Sequence, residues 1–499
     1  MVEAAELMET LAGERDLLRE TDAEIRERFL IAAGRVSRPD RRLRRALSRE
    51  RRKSNRDERR DGVQALLNQT GVRKLRESPI FLTPRRIAAY GETPHGNGAN
   101  GDAAGVKGLS QPLDRTDEPS RPIGRTEEPR SCYTCRADFS DVHHFYDQLC
   151  LPCGDFNFAK RTQIGDLTGR VALVTGSRVK IGYQAAILLL RSGCRVISTT
   201  RFPRDATRRY AAEEDFGEWG HRLEIHGIDL RHTPSVERFC AQMLRTHDRL
   251  DFIINNACQT VRRPPGFYEH LMELEQALDA ELTPMERALL PVAANGRAEV
   301  SPAALSQIEL LAEDAERGQH LFPRGQLDAD LQQVDLRKVN SWRLKLAEVP
   351  TIELLEVHLV NAVAPFVLNA RLKPLMTAVP TRDKHIVNVS AMEGQFYRTF
   401  KTDRHPHTNM AKASLNMLTR TSAIDYIEDG IHMNSVDTGW VTDEDPVEHA
   451  ERKRAMHRFH PPLDVVDGAA RIVDPIFTGL RTGRHVWGQF LKDYRETDW

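Results

Sequence analysis

The hydrophobic positions of this 499-residue chain change period along its length. Through residues 1–34, Leu7, Leu11, Leu18, Ile25 and Phe29 fall at helical spacing, which predicts one or two amphipathic helices. From about residue 165 short β-branched runs take over: VALVTG (171–176), CRVISTT (194–200), RLEIHGIDL (222–230) and LDFIINNA (250–257). Stretches of helical spacing, IGYQAAILLLRSG and SVERFCAQMLRTH, separate them. The order resumes with IELLEVHLVNAVAPFVLNARLKPLM, HIVNVSAM, the helix carrying Lys412 and IHMNSVDTGW. Continuous apolar strands alternating with helices predict an α/β fold, a doubly wound parallel sheet covered on both faces.

Three stretches break this pattern. Residues 265–345 interrupt the alternation with helical spacing in ELEQALDAEL and AALSQIELLAEDAERG, and an insertion at a strand's C-terminal edge is where α/β enzymes place substrate lids. The segment HGNGANGDAAGVKGLSQPLDRTDEPSRPIGRTEEP, rich in Gly, Pro, Asp and Arg, reads as a flexible linker. Residues 35–60 hold 13 Arg/Lys against 4 Asp/Glu. That arm is either a solvated helix face or a docking surface for a protein or nucleic-acid partner. It has no aromatic residue, so no platform for stacking single-stranded bases. The expected domains are a helical, basic region 1–90, a linker 91–130, a small module 131–164 and an α/β domain 165–499 with a helical insertion 265–345.

Composition narrows the class. Lys+Arg equals Asp+Glu at 72 each, which excludes a uniformly basic nucleic-acid binder. No run approaches the roughly 18 apolar residues expected of a membrane span, and the acidic N-terminus has no signal-peptide core. A cytoplasmic protein without membrane contact is the expectation. Of 7 cysteines, four form two CxxC pairs, Cys132 with Cys135 and Cys150 with Cys153, on either side of fourteen residues. Four thiolates at this spacing suit one tetrahedral zinc ion in a closed site.

The first strand-to-helix turn reads TGSRVKIG (175–182). With the NNA segment, VNAVAPF, NVS, a downstream lysine and the terminal GQFLKDY, it resembles the short-chain dehydrogenase/reductase family from about residue 168 to the end. The resemblance implies a Rossmann-type fold, a nicotinamide cofactor and a small-molecule substrate. A homo-oligomer is also expected. Gly176, Ser177, Arg178, Lys180, Ile181 and Gly182 would face the pyrophosphate, with Lys180 standing where the family has its middle glycine. The second strand ends on Thr200 and Arg201 with no acidic residue at its tip, which favours NADP over NAD. Asp229 and Leu230 match the adenine-contacting pair, and Asn256 and Ala257 match the NNAG segment, with Cys258 replacing its glycine. Thr438 and Thr442 fall where the family passes the nicotinamide.

The family's reaction uses Asn, Ser, Tyr and Lys. Asn361 and Lys412 match the first and last, and Lys412 would also hold the ribose. The serine position is Ala391 and the tyrosine position is Thr408. A threonine hydroxyl is too weak an acid to replace a phenol, though it can hydrogen-bond a carbonyl. His405, His407 and Tyr397 are the nearby substitutes, and His405 would share the face of Lys412 if the helix reached it. The sequence therefore predicts an NADP(H)-dependent oxidoreductase with an atypical proton donor, or else a nucleotide-binding sensor that has lost turnover.

Overall fold

The computed structural model describes residues 2–37, 41–84, 120–276, 282–291, 301–397, 401–458 and 460–499. It divides into two compact units, Met1–Asn68 and Gln69–Trp499. The first is helical, with Val2–Gly13, Leu17–Glu20, Ala23–Ser37 and Arg41–Leu67. Arg49, Arg51, Arg52, Lys53 and Arg56 on the last helix are exposed.

In the second unit, β1 (Gly124–Ser131) and β2 (Asp138–Val142) form an antiparallel ribbon, followed by the helix Leu151–Arg161. Residues 91–119 of the expected linker lie outside the described residues. Residues 124–130 belong to β1, a correction to the linker boundary. A Pro- and Gly-bearing segment forms strand here because a two-stranded ribbon tolerates an unpaired stretch, and the register shifts between Arg125 and Arg130.

The main sheet contains β3 (Val171–Thr175), β4 (Arg195–Thr200), β5 (Leu223–Gly227), β6 (Phe252–Asn255), β7 (Lys384–Ser390), β8 (Ile431–Asp437), β9 (Phe490–Lys492) and β10 (Arg495–Thr497). Their spatial order is β10-β9-β8-β7-β6-β3-β4-β5, parallel except for the β10 edge. This is the doubly wound, Rossmann-type sheet expected. Its apolar runs are continuous because helices cover both faces. One face packs Leu173, Ile253 and Ile386 against Phe239, Leu368, Leu372 and Met376. The other packs Val174, Val196 and Val387 against Leu189, Ile472 and Ile476. Strand order reverses between β3 and β6, which opens a crevice beyond their C-terminal ends.

Two sequence expectations change. The run Thr351–Thr377 is in fact long and apolar enough to cross a bilayer by length and composition. In this fold its Leu368, Leu372 and Met376 are core residues. Of the insertion, 277–281 and 292–300 lie outside the described residues. Residues 303–318, expected to be one helix, form only Pro302–Leu305 and a 3-10 turn Ala312–Ala315. Asp314 stops the helix by accepting the backbone N–H groups of Leu310 and Leu311 while it binds Arg262.

Three histidines gather at the opposite end of β7 and β8. His385 Nε2 lies 3.0 Å from His485 Nδ1, and the rings of His432 and His485 stack at 4.5 Å. Burial, then the neighbouring imidazoles, holds His385 well below its ordinary range, and burial lowers His432 and His485. The unfolded chain therefore binds protons that the folded chain refuses. Stability is expected to fall as pH drops below about 6.5, and His385→Phe should flatten that fall in melting-temperature measurements.

Candidate functional site

The turn after β3 is built by close backbone approach. A Cβ on Gly176 (φ +66°) would lie 2.8 Å from Ala257 Cα, and one on Gly182 would lie 2.2 Å from Asn256 Nδ2. Asn256 Nδ2 donates to the carbonyls of Thr175 and Gly176, and Ala257 N–H donates to Thr175 Oγ1. The NNA segment thus clips the turn shut at the start of the helix Lys180–Arg191. Lys180 itself is left-handed, at φ +56°, the conformation glycine adopts freely. Lys180→Gly is expected to raise stability in urea unfolding by up to about 1 kcal/mol, because the left-handed strain is relieved with the side chain.

The crevice at this switch point is a cavity of about 510 Å³. Gly176, Arg178, Lys180, Ile181, Gly182, Thr200, Arg201, Asp229, Leu230, Asn256, Ala257 and Thr442 all line it. Three expected cofactor residues do not: Ser177, Lys412 and Thr438. Ser177 turns inward, its hydroxyl on Val174 O and Ser198 Oγ.

The lining cations differ in what they hold. Arg178 is paired with Asp205, Arg231 with Asp229 and Glu356, and both Arg263 and Arg337 with Asp335. Lys180 and Arg201 line the cleft with no carboxylate in ion-pair contact among the described residues. Arg201 lies over the Tyr268 ring and donates to its hydroxyl. Sequence reasoning named none of the insertion residues that reach this end: Tyr268, Asp328, Gln332, Asp335 and Asn340 line the cleft, and Arg178 and Arg209 bond Gln332 and the carbonyls of Asp330 and Leu331. Only the position of the insertion, after a strand's C-terminal end, hinted at it.

The expected reaction residues stand on two adjoining helices. Asn361 lies in a π-turn, Leu359–Val363, between Thr351–His358 and Ala364–Thr377. Its Oδ1 accepts Gln259 N–H at 2.7 Å and its Nδ2 donates to Gln259 O. Thr408 and Lys412 lie on Pro406–Glu428. Lys412 Nζ donates to Val389 O at 2.7 Å, and Thr408 Oγ1 is buried without a hydrogen-bond partner among the described residues. Ser390 donates to Asn416 Oδ1, and Ala391 follows at the strand end. His405 caps the helix at φ +44° and stacks on Trp342 at 3.9 Å; burial lowers its pKa. Trp342 is two residues from the cleft-lining Asn340, whose Nδ2 donates to Glu444 O. His407 instead faces Glu353, Nε2 to Oε1 3.3 Å, both buried. Tyr397 is exposed.

A buried charge chain ties these parts together. Asp229 binds Arg231, Arg231 binds Glu356, and Glu356 accepts Gln259 Nε2 and Arg262 Nε. Arg262 then gives both terminal nitrogens to Asp314 of the insertion. Gln259, the residue that holds Asn361, is therefore fixed from both ends.

The four Sγ atoms of Cys132, Cys135, Cys150 and Cys153 lie within 4.8 Å of one another, and Cys135 and Cys150 are 3.7 Å apart. A tetrahedron with metal–sulfur bonds of about 2.3 Å has edges of about 3.8 Å, so the cluster fits a metal ion. His143, between the two cysteine pairs, is occupied otherwise: its Nδ1 accepts the N–H groups of Phe145 and Tyr146.

Comparison with known proteins agrees with this geometry. Residues 170–285 match the family model described as short chain dehydrogenase, and residues 338–465 match that described as Enoyl-(Acyl carrier protein) reductase. An uncharacterized protein of Acanthamoeba polyphaga mimivirus is 31% identical over 381 residues, 73% of this chain and 74% of its own length. Human retinol dehydrogenase 13 is 33% identical over 93 residues, 18% of this chain and 27% of its own. Among solved structures, a short chain dehydrogenase from Burkholderia cenocepacia in complex with NADP gives a TM-score of 0.41 at 17% identity, covering 66% of this chain and 97% of that one. Both matched segments fall within the α/β body, which over those residues is similar to the short-chain dehydrogenase/reductase family.

Proposed function

We propose that this protein is an NADP(H)-dependent oxidoreductase acting on a small-molecule substrate with an atypical proton donor. The observation that carries this reading is the pair of cleft cations, Lys180 and Arg201, with no carboxylate in ion-pair contact among the described residues. Lys180 stands at the phosphate turn and Arg201 at the end of β4, where a pyrophosphate and a 2′-phosphate would each need a cation. Thr200, Asp229, Leu230, Asn256, Ala257 and Thr442 complete the walls. The bound dinucleotide supplies or accepts hydride. Asn361 is locked by Gln259, and His405 is the proton-carrying candidate. Burial favours its neutral form, which suits taking a proton from an alcohol.

The test is nicotinamide absorbance with NADPH or NADP and a panel of carbonyls and alcohols. Lys412→Ala should abolish turnover and Thr408→Ala should not. Lys412 would act through the carbonyl it holds at the end of β7, or turn to the ribose on binding. A second reading, a nucleotide-binding sensor without turnover, is favoured by Ala391, Thr408 and the Lys412 bond to Val389 O. Binding without hydride exchange would select it.

We further infer zinc at the four cysteines, because four thiolates at tetrahedral spacing suit it. Metal analysis of the purified chain tests this. A homo-oligomer is supported by an exposed apolar stripe, Leu355, Phe366, Met410, Met417 and Ile424, on the helices that flank Asn361 and Lys412. Light scattering would read its mass. The basic helix Arg41–Leu67 suits an acidic protein or nucleic-acid partner, and loss of pull-down above moderate salt is its signature. Four cysteines spaced for a metal ion rather than for disulfides suit a reducing, cytoplasmic setting, which localisation of a tagged chain would check.

A further inference from the structure

The four-cysteine cluster and the cleft are joined through the chain segment around Trp440. Tyr133, next to Cys132, accepts the backbone N–H of Trp440 on its hydroxyl at 2.9 Å. The segment that follows Trp440 supplies Thr442, Asp443, Glu444, Asp445, Pro446 and Val447 to the cleft. Gly439, at φ +77°, fits only because it lacks a side chain: a Cβ there would lie 2.6 Å from Leu463 and 3.4 Å from the Tyr133 hydroxyl.

Cys132 is itself buried among Val441, Leu463, Val465 and Val466, and Ile181 of the phosphate turn packs against the same cluster. Gly468 also lies close to Ile181, its Cβ position 3.0 Å from Ile181 Cδ1. The second pair of cysteines opens the helix Leu151–Arg161, whose Arg161 binds Asp464 with both terminal nitrogens. Tyr146 donates to Asp467 in the first turn of Val465–Thr482. The first knuckle therefore reaches both sides of the cleft, Trp440 ahead of the 442–447 segment and Ile181 of the phosphate turn, while the second is tied to the start of Val465–Thr482.

We propose that the four-cysteine centre braces the cofactor cleft, so that metal and dinucleotide bind with positive coupling through Tyr133 and Trp440. This rests on the zinc and dinucleotide readings given above. An ion bonded to all four sulfurs ties the two CxxC turns to each other and so orders the knuckle. An ordered knuckle fixes the Tyr133 hydroxyl, and with it one wall of the cleft. By linkage, whatever the metal does for the dinucleotide, the dinucleotide does for the metal.

The experiment uses the full-length, zinc-loaded chain. Zinc loss to an excess of a colorimetric chelator is followed with and without saturating NADPH, and NADPH affinity is titrated alongside. NADPH should slow zinc loss by about fivefold or more. Tyr133→Phe, which keeps the four cysteines and the ring but removes the accepting oxygen, should retain zinc and its circular dichroism. It should weaken NADPH by about fivefold and lose most of the protection. Equal rates of zinc loss with and without NADPH, in a chain that holds both, would overturn the coupling alone. Full protection in Tyr133→Phe would overturn the assigned route. A chain that binds no NADPH, or purifies without zinc, would overturn the proposal through the reading that failed.

Discussion

Gly182→Ala is expected to weaken NADPH binding about 10- to 100-fold, read by fluorescence titration. The added Cβ would lie 2.5 Å from Gly176 O as well as 2.2 Å from Asn256 Nδ2. A side chain could swing aside, but the carbonyl belongs to the turn itself. Moving Asn256 would also break its bonds to Thr175 O and Gly176 O, so the clip that shapes the turn opens. Overpacking of this kind costs about 1–3 kcal/mol, and here the strain falls on the backbone that would meet the pyrophosphate. Gly217→Ala is the matched control, since a Cβ there meets nothing within 4 Å. Unchanged affinity in Gly182→Ala would mean that the turn is not the binding surface.

Arg262→Met is expected to lower stability by about 3–5 kcal/mol in urea unfolding. Arg262, Asp314 and Glu356 are all buried, and Arg262 reaches Asp314 at 2.6 and 2.7 Å and Glu356 at 3.0 Å. Removing the cation leaves the Asp314 carboxylate without its partner in the interior, and Glu356 keeps only Arg231 and Gln259. The double change Arg262→Met with Asp314→Leu should recover part of the loss, because the stranded charge goes with its partner. The insertion would also lose its anchor to Gln259 and Asn361. NADPH affinity is therefore expected to fall with stability in the single variant and to return in part in the double.

The sheet was legible because both its faces are covered, which forces continuous apolar runs such as VALVTG and HIVNVS. The phosphate turn was legible from Gly176 and Gly182, where sterics leave no other residue. Ser177 was not: its neighbours in sequence suggest the phosphate, but its partner, Ser198, sits on the next strand. Lys180 showed its charge and hid its backbone, since nothing in the residue type announces a left-handed φ. The insertion misled at 303–318 because the residue that ends its helix, Asp314, answers to an arginine 52 positions away. The cysteine spacing gave the cluster, yet Tyr133, the residue that links it to the cleft, carried no signal beyond lying inside a CxxC. Tertiary partners of polar side chains are what periodicity cannot supply.

The central claim is that the cleft between the phosphate turn and Arg201 is a dinucleotide site with a preference for the phosphorylated cofactor. Calorimetric titration of the full-length chain with NADPH and with NADH tests it most directly. The account predicts that NADPH binds more tightly than NADH, and that Arg201→Ala narrows the gap by weakening NADPH alone. No heat of binding with either nucleotide, or a tighter NADH that Arg201→Ala leaves untouched, would contradict it.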